Sequence, residues 1–121
     1  MLELLFVYGT LRSEFDNPYA RLLREEALPI GPAMARGSLY RLENYPGFRP
    51  EPASAVRGEL YRLMRAEETL QALDEYEGPE FERIVIEIET REAGVQQAWI
   101  YTLKHAAPEE ARIVSGDFCA S

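Results

Sequence analysis

Glu77 is a carboxylate standing where an apolar side chain belongs. It follows Leu73 by four residues and Leu70 by seven, and at about 100° per residue those intervals place it in the middle of an apolar helical stripe. A carboxyl aimed at a core either finds hydrogen-bond partners or holds its proton to a higher pH than usual, and the second state suits general acid and base work. The same pattern also allows a plain structural role. Gly78 follows at once, so Glu77 would then lie past a fraying helix end or cap a neighbouring strand. The adjacent Asp74 and Glu75 read as a solvated rim.

A second candidate is the loop Tyr8-Gly9-Thr10-Leu11, which leaves a buried apolar run directly. A glycine there lets backbone N–H groups approach a ligand, as an oxyanion or carboxylate site requires, although an ordinary turn at a strand end has the same appearance. Nucleophilic triads are disfavoured, because His105 is the single histidine and no Gly-x-Ser-x-Gly elbow occurs. The lone Cys119 near the chain end reads as an incidental thiol. The aromatic residues Tyr40, Tyr45, Phe48, Tyr61, Trp99 and Tyr101 read mainly as packing, with some able to wall a pocket.

These groups have to be held by regular elements. Leu2 to Tyr8 predicts a buried strand ending at Gly9. Asn17-Pro18 has the form of an N-cap followed by proline at the first helical position, and Tyr19, Leu22 and Leu23 continue it to about Glu26. Ala33 to Arg41 is extended. Tyr45 to Pro52 holds three prolines and a glycine and predicts an irregular loop. Val56 to Met64 predicts a mixed strand whose register the pattern leaves open. Ala66 to Glu77 is the clearest helix, ended by Gly78-Pro79. Glu82 to Thr90 and Val95 to Leu103 predict a hairpin across Arg91-Glu92-Ala93-Gly94, with Ile84, Ile86 and Ile88 on the buried face. The tail from Ala106 to Ser121 either closes a pocket or covers a sheet edge.

Composition bounds the rest. A chain of 121 residues with 46% hydrophobic content predicts one domain, 1–121, with a core that needs neither metal nor disulfide. One cysteine permits no internal disulfide and no zinc-ligand cluster, which fits a reducing, cytoplasmic setting. No apolar stretch approaches the ~20 residues that span a bilayer, and no signal-peptide pattern opens the sequence. A net charge of -8 repels phosphate backbones and anionic membranes, so nucleic acid and membrane are not expected partners. No internal repeat or low-complexity tract is present.

Six segments in order, Val7-Tyr8-Gly9-Thr10-Leu11, Gly37-Ser38-Leu39-Tyr40, Tyr45-Pro46-Gly47-Phe48, Val56-Arg57-Gly58-Glu59-Leu60-Tyr61, Leu73-Asp74-Glu75-Tyr76-Glu77-Gly78 and Ala98-Trp99-Ile100-Tyr101, together resemble the γ-glutamyl cyclotransferase-like family, in its AIG2-like, γ-glutamylamine cyclotransferase branch. The resemblance covers residues 4 to about 103. It implies an α+β fold: a small, mostly antiparallel barrel-like sheet with a few short helices. It also implies an enzyme, of acyltransferase or lyase type, that turns a γ-glutamyl amide into 5-oxoproline and a free amine without metal or organic cofactor. The resemblance maps the catalytic glutamate onto Glu77 and the substrate loop onto Tyr8, Gly9, Thr10 and Leu11. Many members carry a tyrosine where this chain has Phe81, and Tyr101 is the aromatic able to replace its hydroxyl. Arg83, and behind it Arg49, are candidates to attract the glutamyl carboxylate. The loops near Phe48 and Phe81 are expected to shape the pocket walls and thus the choice among γ-glutamyl amino acids and γ-glutamylamines. The competing expectation is a module that binds a small metabolite in the same cavity without turnover.

Overall fold

Residues 2–12, 15–43, 45–92 and 94–118 are described by a computed structural model. Strand β1 is Leu4–Val7, and all four of its residues are buried. Both of its faces are covered, which is why it reads as an unbroken apolar run. Leu4 and Phe6, followed by Tyr8, point to one interior with Ala35, Leu39, Val56, Leu60, Ile88 and Ile100. Leu5 and Val7 point the other way, to a second cluster with Leu23, Leu63, Leu70, Leu73 and Leu103.

The first cluster fills a ring of five strands. Strand β2 is Ala27–Leu42, β3 is Tyr45–Leu63, β4 is Phe81–Thr90 and β5 is Gly94–Leu103. Their order is β1-β3-β2-β4-β5, and β5 closes on β1 where Leu5 lies opposite Trp99. That contact is parallel and all other pairings are antiparallel. The fold is thus α+β with a mostly antiparallel, barrel-like sheet, as the sequence implies.

The second cluster lies under two helices on the outside of the ring. Helix α1 is Pro18–Glu26, and the side chain of Asn17 caps it by accepting from the Ala20 amide at 2.8 Å. Helix α2 is Ala66–Glu77, with Ala66, Thr69, Leu70 and Leu73 buried. It stops at Gly78, whose φ of 81° lies in the left-handed region that favours glycine, and whose N–H returns to the Asp74 carbonyl. Among the described residues no helix is long and apolar enough to cross a membrane.

One expectation is overturned. The proline-rich stretch Tyr45 to Pro52 is not an irregular loop but the first part of β3. Proline lacks a donor, yet this stretch forms a ladder only with β2, pairing Tyr45 with Leu42, Pro46 with Arg41 and Pro50 with Gly37. Its other side is held by side chains. The Phe48 amide donates to the Tyr8 hydroxyl at 3.2 Å, the Thr102 hydroxyl donates to the Phe48 carbonyl at 2.8 Å, and Arg49 donates to the Leu103 carbonyl at 2.8 Å. The register breaks between Arg36 and Gly37, where the β2 partner jumps from Ala55 to Pro50 and residues 51–54 bulge out.

The described part of the tail settles onto a sheet edge. A 3-10 turn at Glu109–Ala111 leads to a bridge between Arg112 and Tyr40, the Ile113 amide donates to the Leu39 carbonyl at 2.7 Å, and Ile113 enters the first cluster. This edge of β2 is exposed to pairing because β4 meets β2 only at Ala33, Met34 and Ala35.

Candidate active site

Beyond Val7 the chain leaves β1 into a turn in which the Arg12 amide donates to the Gly9 carbonyl at 3.0 Å. Three contacts fix that turn. The Asn17 side-chain amide donates to the Thr10 carbonyl at 2.8 Å, so the residue that caps α1 also holds the loop. The Thr10 hydroxyl meets the Tyr76 hydroxyl at 2.8 Å, and Tyr76 packs against Tyr19 with ring centroids 4.4 Å apart. Gly9 lies against Pro46, where an added Cβ would come within 2.5 Å of the proline Cγ. A glycine is required there by close approach rather than by backbone angle. The backbone N–H groups of Gly9, Thr10 and Leu11 make no hydrogen bond within the described residues.

This loop forms one wall of a cavity of about 440 Å³. The last turn of α2 supplies Tyr76 and Glu77, the start of β3 supplies Tyr45 and Pro46, and the approach to β4 supplies Glu80 and Phe81; Tyr101 of β5 completes it. Of the residues singled out from sequence, Tyr8, Gly9, Thr10, Leu11, Glu77 and Tyr101 therefore border one space, about which the chain folds from four separate segments.

Glu77 is partly buried, and its carboxyl makes no hydrogen bond or ion pair within the described residues. Loss of hydration raises its pKa from 4.5 to about 7. Two tyrosines sense it. Burial pushes the Tyr8 hydroxyl far up and the Glu77 charge adds to that, while Tyr101 is raised by burial first, then by its hydrogen bond to Asp74, with a smaller contribution from Glu77. Tyr8 donates to the Tyr101 carbonyl at 2.7 Å, which binds the end of β1 to β5. Both hydroxyls stay protonated and serve as neutral donors.

Arg83 lies elsewhere. Its guanidinium forms two hydrogen bonds to Asp74, at 2.9 and 3.1 Å, and sits 4.3 Å from the centroid of the Trp99 ring. It lines a shallower depression with Asp74, Glu82 and Lys104 that Glu77, Phe81 and Tyr101 also border. Burial raises the Asp74 pKa, but the hydrogen bonds from Arg83 and Tyr101 more than offset it and leave the group below the ordinary range. Asp74 is thus a structural partner, joined to the Tyr101 hydroxyl at 2.7 Å, rather than a free solvated rim. The structure does not bring Arg83 to the main cavity, and Arg49 is held by the Leu103 carbonyl. Phe81 lines the cavity, and so do Tyr45 and Pro46 just before Phe48, whereas Phe48 itself is fully buried within the ring.

Sequence reasoning did not name Pro46, Tyr76 and Glu80 as cavity residues, whereas Tyr45 stood among the aromatics able to wall a pocket. Tyr76 was within reach of it, as the neighbour of Glu77 at the end of α2. Pro46 was hidden by the wrong assignment of its segment. Among the described residues no group of His, Cys, Asp and Glu could hold a metal ion.

A five-stranded, mostly antiparallel ring with two outer helices defines a small α+β protein, and one cleft in it is bordered by a carboxyl without a partner among the described residues and by a turn whose amides are likewise unpaired there. The chain belongs to the family described as gamma-glutamyl cyclotransferase, AIG2-like, whose profile matches residues 5–120. Among solved structures it is similar to YkqA from Bacillus subtilis, with 29% identity and a TM-score of 0.78 over 98% of this chain, which spans 40% of that protein. It is also similar to the protein ytfP from Escherichia coli, with 32% identity and a TM-score of 0.61 over 94% of both chains. A third is an AIG2-like protein from Mus musculus, with 26% identity and a TM-score of 0.68 over 88% of this chain and 80% of that one. No curated protein matches the chain.

Proposed function

We propose that the protein converts a γ-glutamyl amide into 5-oxoproline and a free amine, with Glu77 moving the protons. The observation that supports this reading most is the Glu77 carboxyl, held near neutrality by burial and facing Tyr8 and the Gly9–Leu11 turn across one cavity. A group with a pKa of about 7 is divided between acid and base forms at the pH where it has to act as both.

The substrate's α-nitrogen attacks its own γ-carbonyl carbon. Glu77 as carboxylate takes a proton from the α-ammonium, the nitrogen forms the new C–N bond of a five-membered ring, and the carbonyl oxygen becomes an oxyanion. The N–H groups of Gly9, Thr10 and Leu11 are donors for that oxyanion. Protonated Glu77 then delivers its proton to the departing nitrogen as the amide C–N bond breaks; the carboxylate so regenerated takes the second proton from the ring nitrogen, leaving the neutral lactam, and passes it to the released amine, which departs as an ammonium. No atom changes oxidation state and every proton transfer uses one carboxyl, so this reading includes no cofactor. Holding the chain folded back is the larger part of the work, because ring closure is intramolecular. The Thr10–Tyr76 hydroxyl pair, which uses one of its two protons internally, is a further neutral donor at the wall.

The test is release of 5-oxoproline, measured by mass spectrometry, from γ-glutamyl amino acids and γ-glutamylamines. Wild type should release it, and Glu77→Gln should fold and lose at least about a hundredfold in turnover. Near-normal turnover in Glu77→Gln removes this residue from the mechanism. Saturable binding with no product from any amide favours the binding module instead.

A further inference from the structure

Charge in the cavity has one sign. Among its described lining residues are two carboxyls, Glu77 and Glu80, and no arginine, lysine or histidine. The basic side chains on the adjoining strands have other partners: Arg83 the Asp74 carboxylate and the Trp99 ring, Arg49 the Leu103 carbonyl. The donors left for a substrate are neutral, namely the turn amides and the one hydroxyl proton that the Thr10–Tyr76 pair does not use between its two members. They suit the oxygens of a glutamyl group, which brings a single carboxylate. A leaving group with a carboxylate of its own would meet no cation among the cavity's described lining residues, Lys104 lining the neighbouring depression, and would face Glu80.

Glu80 is built into the mouth. It is exposed, and the Tyr45 hydroxyl donates to its Oε1 at 3.0 Å. The Tyr45 ring in turn packs against Phe81, with centroids 6.1 Å apart, so the carboxylate is steered by a residue that also walls the cavity. The Glu43 charge reaches Tyr45 as well, which adds to the negative field at this rim. Glu80 Oε2 has no partner within the described residues.

Resting on the cyclotransferase reading above, we propose that the preferred leaving amine carries a second, positively charged nitrogen, as the monoamide of an aliphatic diamine or polyamine does, and that Glu80, positioned by Tyr45, recognises it. Glu80 is then a specificity residue and takes no part in proton transfer. The ammonium would sit at the mouth while the glutamyl end reaches Glu77 and the turn.

The experiment compares three γ-glutamyl amides of equal chain length, made from 1,4-diaminobutane, butylamine and 4-aminobutanoate, whose tails are cationic, neutral and anionic. In low salt, wild type should rank them in that order, with about fivefold in kcat/KM between cationic and neutral, carried mainly by KM. In Glu80→Gln the cationic-to-neutral ratio should fall to near one, and about 0.5 M salt should reduce it in wild type. Preference for the neutral or anionic amide, or a ratio that persists in Glu80→Gln, overturns the proposal while the cyclotransferase reading stands. Release of 5-oxoproline from none of the three overturns both.

Discussion

Replacing Glu77 with glutamine should stabilise the protein while disabling it, and the size of the gain follows from where the carboxyl sits. Burial lifts its pKa from 4.5 to about 7, and among the described residues no partner offsets that loss of hydration. Each pH unit is worth about 1.4 kcal/mol, so ionising Glu77 in the folded chain costs about 3.5 kcal/mol at most, and about 2 once its partial exposure is allowed for. The direction is set by proton counting. Between pH 4.5 and about 7 the unfolded chain has released this proton and the folded chain retains it, so stability falls as pH rises through that window and is level on either side. Glutamine keeps the shape and has no charge to bury. The advantage of Glu77→Gln should therefore be small near pH 4.5 and grow to about 2 kcal/mol by pH 8.5, or roughly 6 to 12 °C in Tm for a chain of this size. Thermal melts of both proteins across that range measure it, and the other titrating groups cancel in the difference. A difference that does not change with pH, or one that turns against glutamine as pH rises, would show that Glu77 is solvated and that the acid–base argument built on its burial is wrong.

The rate should follow the same group. If Glu77 must be unprotonated to start the reaction, kcat/KM rises about tenfold per pH unit below about pH 7 and levels off above it, and a flat profile between pH 5.5 and 8 contradicts a base at Glu77. Gly9→Ala places a Cβ within 2.5 Å of Pro46 Cγ, so the turn has to shift. Turnover should fall by about 10²-fold, the usual effect of a displacement near 1 Å, and 5-oxoproline release at the wild-type rate would show that the turn amides are not used.

Parts of this molecule are legible because their causes are local. The cap at Asn17, the proline after it and the stripe of Leu70 and Leu73 act over one or two helical turns, and α1 and α2 occupy the ranges they predict. The alternation of Ile84, Ile86 and Ile88 likewise marks a hairpin whose pairing runs from Phe81 with Leu103 to Thr90 with Gly94. The start of β3 was illegible for a definite reason. Whether a proline breaks a strand depends on whether a neighbouring strand needs its N–H, and that neighbour is chosen by tertiary structure. At Pro46 and Pro50 the ladder lies on one side only, while Tyr8, Thr102 and Leu103 serve the other through the Phe48 and Arg49 contacts.

The candidate site divides along the same line. Glu77 is conspicuous in the sequence because a carboxyl on an apolar stripe conflicts with its surroundings, and that conflict is visible within seven residues. What the carboxyl lacks is visible only in three dimensions. An arginine six positions later looks available to a substrate carboxylate, yet the chain turns at Gly78 so that Arg83 closes on Asp74, one helical turn before Glu77. Among the described residues, Glu77 is left without a counter-charge and the cavity lining without a cation. By itself the sequence determined which group is unusual and which helix carries it, since propensity and periodicity are short-range. The tertiary structure alone decided which charges cancel and which remain, because ion pairing depends on distances between segments that no spacing along the chain records.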